Sequence, residues 1–289
     1  MSLPIHLQNY LNDLSIQKPK ELSLNFVASL QNNHQAQYSF NNLAVVLGET
    51  ISLNTLEISK KIVTNGLGGY CFEHNKLTYD LLQTLGYSVH LKLARVLNNQ
   101  DKQVARTHRI TLMDFANKTY LIDTGFGAYS PNAPVLLQEN IDQAIGSEIY
   151  RIIKMVNTKT SVVEYDLQII KDNQFYTLYR FDLAHYNEAD CDAGHFFSHK
   201  YPEAGFVNNL VISLKNNNQV IAIKNQYFLT RVNKEEKATL ISDSPTLHSL
   251  LTHNFSLTID KAITDHLFDR FIKGKINNEK ETPYKKSAS

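Results

Sequence analysis

The sequence predicts an α+β protein, with helices in about the first 86 residues and β-strands in the middle of the chain. Apolar residues in the N-terminal part recur at spacings of three and four, which is typical of amphipathic helices. At Gly86 the pattern changes to an alternation of apolar and polar residues, which is typical of half-buried strands. With 289 residues, the chain is long enough for a large core and two or three packed subdomains.

Four helices are predicted before Gly86. In LQNYLNDL the apolar stripe consists of Leu7, Tyr10, Leu11 and Leu14. The segments KELSLNFVASLQNNH and NTLEISKKIV show a similar helical spacing of apolar residues. In CFEHNKLTYDLLQTLGY, one side of the predicted helix carries Leu77, Leu81, Leu82 and Leu85. Gly86 provides a natural C-terminal stop for this last helix.

Strands are predicted from Tyr87 onward, and they indicate a sheet or a barrel. They are YSVHLKLARV, THRITLMDF, KTYLID, SEIYRIIKMV, TSVVEYDLQII and FYTLYRFDL. Two more strands flank an Asn-rich turn in GFVNNLVISLKNNNQVIAIKNQYFLTRV. A helix is predicted in DKAITDHLFDRFIKGK, and a polar, disordered tail is predicted from about Ile276.

The composition excludes several classes of protein. The 29 basic and 28 acidic residues give a net charge of +1, which argues against a nucleic-acid binder. The N-terminus resembles no signal peptide, and no apolar run is long enough for a membrane span. The two cysteines, Cys71 and Cys191, do not form a disulfide framework, so a cytoplasmic protein is expected.

Cys71 is the candidate nucleophile. It follows a Gly-Gly pair in NGLGGYCFEHN and opens a predicted helix, where unpaired N–H groups and the positive dipole end favour a thiolate of low pKa. The alternative is a small buried thiol without chemistry. Cys191, with Glu188, Asp190 and Asp192 close in sequence, is expected to have a raised pKa and to react more slowly.

His108 and Asp123 are the candidate base and its orienting acid, and they lie in one predicted hairpin. A turn at Asn117-Lys118 places them on one face without being directly opposite. A turn two residues earlier pairs them directly, again on one face. The alternative for Asp123 is a carboxylate at a strand end that accepts N–H groups of the following loop.

Three motifs in one order resemble the arylamine N-acetyltransferase family. GGYCFEHN, RTH and IDTGFG are similar to that family's Arg-Gly-Gly-Tyr-Cys-Phe-Glu, Arg-Thr-His and Val-Asp-Val-Gly-Phe-Gly segments. FSHKYPEAGFVNNLVISL resembles the entry into the family's third domain, and SFNNL (39–43) resembles its Pro-Phe-Glu-Asn-Leu segment. The resemblance covers most of the chain.

The resemblance implies a Cys71-His108-Asp123 triad where a helical bundle meets a β-barrel, with an α/β lid as third domain. The expected boundaries are 1–86, 87–198 and 199–289, the last including the polar tail. The core of this fold is similar to that of papain-like and transglutaminase-like enzymes. The implied reaction is a two-step, ping-pong acetyl transfer from acetyl-CoA to arylamines or arylhydrazines, in xenobiotic metabolism.

The family pattern also implies binding residues. Acetyl-CoA is expected as a co-substrate near Gly125, Gly127 and Thr107, with no permanently bound cofactor. The acceptor, a small aromatic amine or hydrazine, is expected to contact Phe126, Tyr70, Phe40 and Phe206. No metal is expected: His185, Cys191, His195 and His199 offer a zinc-like set of ligands, but their spacing is loose and no Cys-x-x-Cys pair exists.

One departure from the family pattern concerns the residue before Gly-Gly. The family has Arg there, this chain has Leu67, and VTNGL contains no basic residue. Two alternatives therefore stay open. One is an amide synthase, peptidase or transglutaminase-like enzyme with the same triad, and the other is a non-catalytic binding protein of the same fold.

Overall fold

The computed structural model describes residues 3–100, 102–158, 160–216, 219–232 and 235–279. Its N-terminal part consists of five helices. They are α1 (Ile5–Asp13), α2 (Leu24–Gln37), α3 (Leu43–Val46), α4 (Thr55–Ser59), which continues as a π-helical turn (Lys60–Thr64), and α5 (Cys71–Leu85). Tyr10, Leu30 and Leu77 are fully buried where α1, α2 and α5 pack together. As predicted, α5 ends at Gly86, which has a φ of +96°.

An eight-stranded antiparallel sheet forms the middle of the molecule. Its strands are β2 (Ser88–Val96), β3 (His108–Phe115), β4 (Lys118–Ile122), β5 (Val135–Leu136), β6 (Gln143–Ile145), β7 (Glu148–Val156), β8 (Val163–Lys171) and β9 (Gln174–Asp182), in the order β5-β4-β3-β2-β9-β8-β7-β6. The side chain of Gln143 bonds the N–H and the carbonyl of Leu136 at 2.7 and 2.9 Å. This contact joins the two edges, so the sheet is a nearly closed barrel.

A second sheet of five strands lies in the C-terminal part, and one of its strands comes from the N-terminal part. The strands are β1 (Phe40–Asn41), β10 (Val211–Lys215), β11 (Gln219–Lys224), β12 (Tyr227–Val232) and β13 (Glu235–Leu240), in chain order across the sheet. Phe40 pairs with Ser213, so β10 fixes Phe40 from a distant part of the sequence. Apart from β1, this sheet has four strands, whereas the sequence predicted only the two that flank the Asn-rich turn.

The remaining helices are α6 (Glu188–Lys200), α7 (Gly205–Asn208), α8 (Ser244–Ser249) with a π-helical turn (Leu250–Asn254), α9 (Lys261–Phe268) with another (Asp269–Lys273), and α10 (Gly274–Glu279). The segment of α6 had no predicted structure, and the predicted boundary between residues 198 and 199 falls inside this helix. Helix α10 extends beyond Ile276, where the tail was predicted to begin; residues 280–289 lie outside the described residues. Within the described ranges, no helix has the length and apolarity required to cross a membrane.

Candidate active site

The start of helix α5 is fixed by the loop that precedes it. Gly68 has a φ of +62°, and a Cβ atom there would lie 2.2 Å from the carbonyl oxygen of Ser39, so this position requires glycine. The Tyr70 N–H donates to Oε2 of Glu73 at 3.1 Å, and the Glu73 N–H donates to the Tyr70 carbonyl at 3.0 Å. These bonds cap the first turn, and Cys71 occupies the first helical position, as predicted.

His108 and Asp123 belong to the hairpin of β3 and β4, but its register is neither of the two predicted ones. The turn consists of Ala116 and Asn117, with φ angles of +49° and +60°. Two left-handed residues in a two-residue turn match the twist of a hairpin. The turn lies midway between the two predicted positions, and because all three registers have the same parity, the two side chains stay on one face.

The His108 ring and the Asp123 carboxylate are hydrogen-bonded and buried. Nε2 of His108 lies 2.8 Å from Oδ2 of Asp123, and the two residues are 2% and 0% exposed. Because a carboxylate only accepts hydrogen bonds, Nε2 carries the proton and Nδ1 is left as the basic nitrogen. Burial opposes ionisation of Asp123, but the charge and hydrogen bond of His108 outweigh it and lower the pKa of this carboxyl.

Three further donors hold the Asp123 carboxylate. The Tyr179 hydroxyl donates to Oδ2, and Nδ2 of Asn75 and the Gly125 N–H donate to Oδ1, each at 2.9 Å. Asn75 lies one turn after Cys71 on the same face of α5, so its bond brings the start of that helix to the hairpin. The sequence interpretation missed both side chains. The four-residue spacing from Cys71 was a signal for Asn75, whereas no local signal indicates Tyr179.

The Cys71 thiol is 2% exposed, and its Sγ donates to the carbonyl oxygen of Thr107 at 3.6 Å. Burial raises the pKa of this thiol and the Asp123 carboxylate raises it further, while the N–H groups of Phe72 and Arg109 oppose the shift. The prediction of a lowered pKa is therefore wrong, because burial outweighs the helix N-terminus. A thiolate at this position requires a neighbouring cation, and the His108 imidazolium is suited to that role.

We expect iodoacetamide at pH 7 to alkylate Cys71 at least about tenfold faster than Cys191. Cys191 is fully buried, and burial raises its pKa to about 11 although Arg109 opposes the shift. The expected advantage of Cys71 depends on transfer of its proton to His108, so His108→Ala should remove most of it. Peptide mapping from pH 5 to 9 measures both rates. Equal rates at every pH would identify Cys71 as an inert buried thiol.

The four predicted acceptor residues surround the start of α5. The Phe126 ring packs edge-on against His108, with centroids 5.0 Å apart, and the Phe206 ring lies 5.9 Å from those of Phe40 and Tyr70. Phe126 and Phe206 are partly exposed, whereas Phe40 and Tyr70 are buried behind them. Phe126 and Phe206 can therefore contact a ligand directly, and Phe40 and Tyr70 pack behind them.

The glycine loop after β4 is held by packing. The Gly125 N–H is already used by Asp123, and a Cβ atom on Gly125 would lie 2.9 Å from the Cα of Cys71. Gly127 has a φ of +71°, and a Cβ atom there would lie 3.1 Å from the ring of Phe40. Gly125 thus provides close packing against α5, and its N–H is not available to a phosphate as the prediction required.

Two cations from the second sheet hold the chain just after this loop, and sequence reasoning did not find them. Nζ of Lys215 donates to the Ser130 carbonyl at 2.6 Å, and Arg231 donates to the Ala128 carbonyl at 3.0 Å. Both cations pair with the carboxylate of Glu148, whose side chain is 10% exposed. The second sheet therefore anchors the turn that carries Phe126.

Cys191, His195 and His199 of the zinc-like set lie on α6, and the rings of His195 and His199 are stacked with centroids 4.1 Å apart, but their polar atoms have other partners. Cys191 faces Arg109, His195 bonds the Tyr70 hydroxyl and the Ile51 carbonyl, and His199 bonds the carbonyl of His195. The segment that contains Cys191 is the start of α6. Across the described part of the chain, no three His, Cys, Asp or Glu side chains are grouped as metal ligands.

Comparisons with known proteins identify the family. A family model described as N-acetyltransferase matches residues 23–264. The arylamine N-acetyltransferase of Escherichia coli (strain K12) is 26% identical over 260 residues, 89% of this chain and 90% of that protein. The arylamine N-acetyltransferase structure from Salmonella typhimurium superposes with a TM-score of 0.85 at 25% identity, over 93% of this chain and 100% of that one.

The fold is also shared with a structure of the Mycobacterium marinum arylamine N-acetyltransferase in complex with CoA. The TM-score is 0.85 at 23% identity, and the match covers 92% of this chain and 99% of that chain. These likenesses confirm the predicted α+β fold and the resemblance carried by the three motifs. The chain belongs to the arylamine N-acetyltransferase family.

Proposed function

We propose that this enzyme transfers an acetyl group from acetyl-CoA to aromatic amines or hydrazines through an acetyl-cysteine at Cys71. The observation that carries the proposal is the bond of His108 Nε2 to Asp123, which leaves Nδ1 as a base. His108 directly follows Thr107, whose carbonyl contacts the Cys71 sulfur. A nucleophile, a base and a group that orients the base are the elements of covalent acyl transfer.

In the first step, His108 Nδ1 takes the proton of Cys71, and the thiolate attacks the thioester carbonyl carbon of acetyl-CoA. The bond between that carbon and the coenzyme sulfur breaks, and the leaving thiolate receives the proton from the imidazolium. The Glu73 N–H donates to the Tyr70 carbonyl, whereas the N–H groups of Cys71 and Phe72 precede the first bond of the helix. They are suited to stabilise the oxyanion that forms on the carbonyl oxygen.

In the second step, the acceptor nitrogen attacks the acetyl-cysteine carbonyl, His108 takes a proton from that nitrogen, and the Cys71 thiolate leaves. An aromatic amine is neutral at pH 7 and remains nucleophilic. An alkylamine such as a lysine side chain, with a pKa of about 10.4, is mostly protonated. The partly exposed rings of Phe126 and Phe206 supply apolar surface for an aromatic acceptor.

Thr107 and Gly127 remain our proposed coenzyme contacts. Both are partly exposed and they flank the site: Thr107 contacts Cys71, and Gly127 adjoins Phe126. We withdraw Gly125 because its N–H donates to Asp123. If the coenzyme binds here, saturating CoA should slow alkylation of Cys71 and leave that of Cys191 unchanged.

Steady-state kinetics test the proposed function. We expect saturable acetylation of an arylamine, and initial rates at varied acetyl-CoA and amine concentrations should give parallel double-reciprocal lines, the pattern of a ping-pong reaction. Intersecting lines would indicate direct transfer within a ternary complex. Cleavage of peptides without use of acetyl-CoA would favour the peptidase, and no acetylation of any arylamine would favour the binding protein.

A further inference from the structure

Two departures from the family pattern contact each other beside the candidate nucleophile. Leu67 stands where the family has Arg, and Asn41 stands where it has Glu in the Pro-Phe-Glu-Asn-Leu segment. Nδ2 of Asn41 donates to the carbonyl oxygen of Leu67 at 2.9 Å. An uncharged contact thus replaces two residues of opposite charge, and neither change leaves an unpaired charge in this loop.

A cation nevertheless lies at the start of α5, and it comes from the π-helical turn that follows α4. Nζ of Lys61 lies 2.7 Å from Oε1 of Glu73, whose side chain is 2% exposed. The other oxygen, Oε2, accepts the N–H of Tyr70. The Leu67 N–H donates to the Lys61 carbonyl at 3.1 Å, so the two positions are joined through the backbone.

We propose that Lys61 is a positioning residue for Cys71. Lys61 holds the first turn of α5 through Glu73, and it supplies the cation that the family pattern places at residue 67. The effect of Lys61 on turnover rests on the proposed function, whereas its effect on the first turn of α5 does not. Glu73 caps the turn that begins with Cys71, and a buried carboxylate without its partner cannot hold that turn.

The charges around Glu73 fix the sign of the expected pH dependence. Burial raises the pKa of Glu73, Lys61 lowers it, and Glu49 raises it. The other titratable groups near the pair are Tyr70 and Cys71, on which Glu73 acts, and His74 and His195, on which Lys61 acts. Without Lys61 the pKa of Glu73 rises further.

In Lys61→Met, Glu73 is a neutral acid at a pH below its pKa, and it still accepts the Tyr70 N–H. At a pH above that pKa, Glu73 is a buried carboxylate without a partner cation. The defect of Lys61→Met should therefore grow as the pH rises. Glu73→Gln keeps an acceptor for the same N–H without a charge, so this second change should remove the pH dependence.

The test measures alkylation of Cys71 by iodoacetamide from pH 5 to 9, followed by peptide mapping. This readout needs neither acetyl-CoA nor an amine, so its failure is distinct from failure of the proposed function. The proteins are the wild type, Lys61→Met, Glu73→Gln and the double variant. Lys61→Arg tests rescue by another cation, and Lys60→Met is the matched control because Lys60 is the exposed neighbour in the same turn.

We expect Lys61→Met to match the wild type near pH 5 and to be roughly ten- to hundredfold slower at pH 8. Lys61→Arg and Lys60→Met should follow the wild-type profile, and the double variant should follow that of Glu73→Gln. A Lys61→Met profile equal to the wild type would overturn the proposal, as would a double variant that combines both single defects. If Lys61→Met unfolds above pH 7, the double variant is the test. The proposal is supported if the double variant folds and its Cys71 is alkylated as in Glu73→Gln, and it is overturned if the double variant unfolds or its Cys71 is alkylated more slowly.

Discussion

Cys71→Ser is expected to reduce acetyl transfer to an arylamine by roughly 10⁴-fold or more. Burial and the nearby Asp123 carboxylate already oppose ionisation of the thiol, and a hydroxyl, which is far less acidic, would ionise even less. The serine side chain is similar in size, so the fold should remain. Initial rates at saturating acetyl-CoA, together with circular dichroism, measure the effect.

Cys191→Ser is the matched control for this experiment. Cys191 is equally buried, but its sulfur faces the Arg109 guanidinium at 3.5 Å rather than the candidate base. A hydroxyl can accept that hydrogen bond, so we expect activity near that of the wild type. Comparable losses in the two variants would show that the chain needs both cysteines for packing, and Cys71 would lose its assignment as nucleophile.

Asp123→Asn is expected to reduce turnover by about 10⁴-fold, as the corresponding change does in a serine-protease triad. The carboxylate accepts four hydrogen bonds, from His108, Tyr179, Asn75 and the Gly125 N–H. An amide has a single acceptor oxygen, so its NH₂ group faces either His108 and Tyr179 or Asn75 and the Gly125 N–H. In the first orientation the His108 ring loses its tautomer, and in both the neutral amide cannot stabilise the imidazolium. The unpaired donors cost the protein about 1–3 kcal/mol of stability.

Tyr179→Phe separates these two effects. It removes one donor from Oδ2 of Asp123 and keeps the bond of His108, so the preferred tautomer remains. We expect a loss of activity much smaller than that of Asp123→Asn. The comparison requires kcat for both variants and their thermal unfolding midpoints. Asp123→Asn with activity near that of the wild type would exclude Asp123 from the reaction.

The sequence was sufficient for features that depend on local patterns. The apolar stripe and Gly86 predicted α5, and the alternation of apolar residues predicted β3 and β4. The predicted turn was misplaced by one residue, but the predicted and observed registers differ by two residues, and such a shift keeps His108 and Asp123 on one face. Local rules of this kind do not depend on what packs against the segment.

Features that depend on distant contacts were not predicted. The segment of α6 lacks a strong apolar stripe, and its Cys191 packs against the distant Arg109. The capping box of Asn187 and Asp190 was a local signal for this helix that sequence reasoning missed. The pKa of Cys71 was predicted in the wrong direction, because the helix N-terminus is visible in the sequence whereas burial and the approach of Asp123 arise only in the fold. The same reason explains why Tyr179 was missed.

The central claim is that the acetyl group rests on Cys71 between the two steps, and the mass of the intact protein tests it most directly. After mixing with acetyl-CoA alone, the wild type should gain one acetyl group that maps to Cys71, and Cys71→Ala should gain none there. Adding an arylamine should remove the group at least as fast as turnover. Full turnover without any such adduct, or an adduct that persists in Cys71→Ala, would contradict the claim.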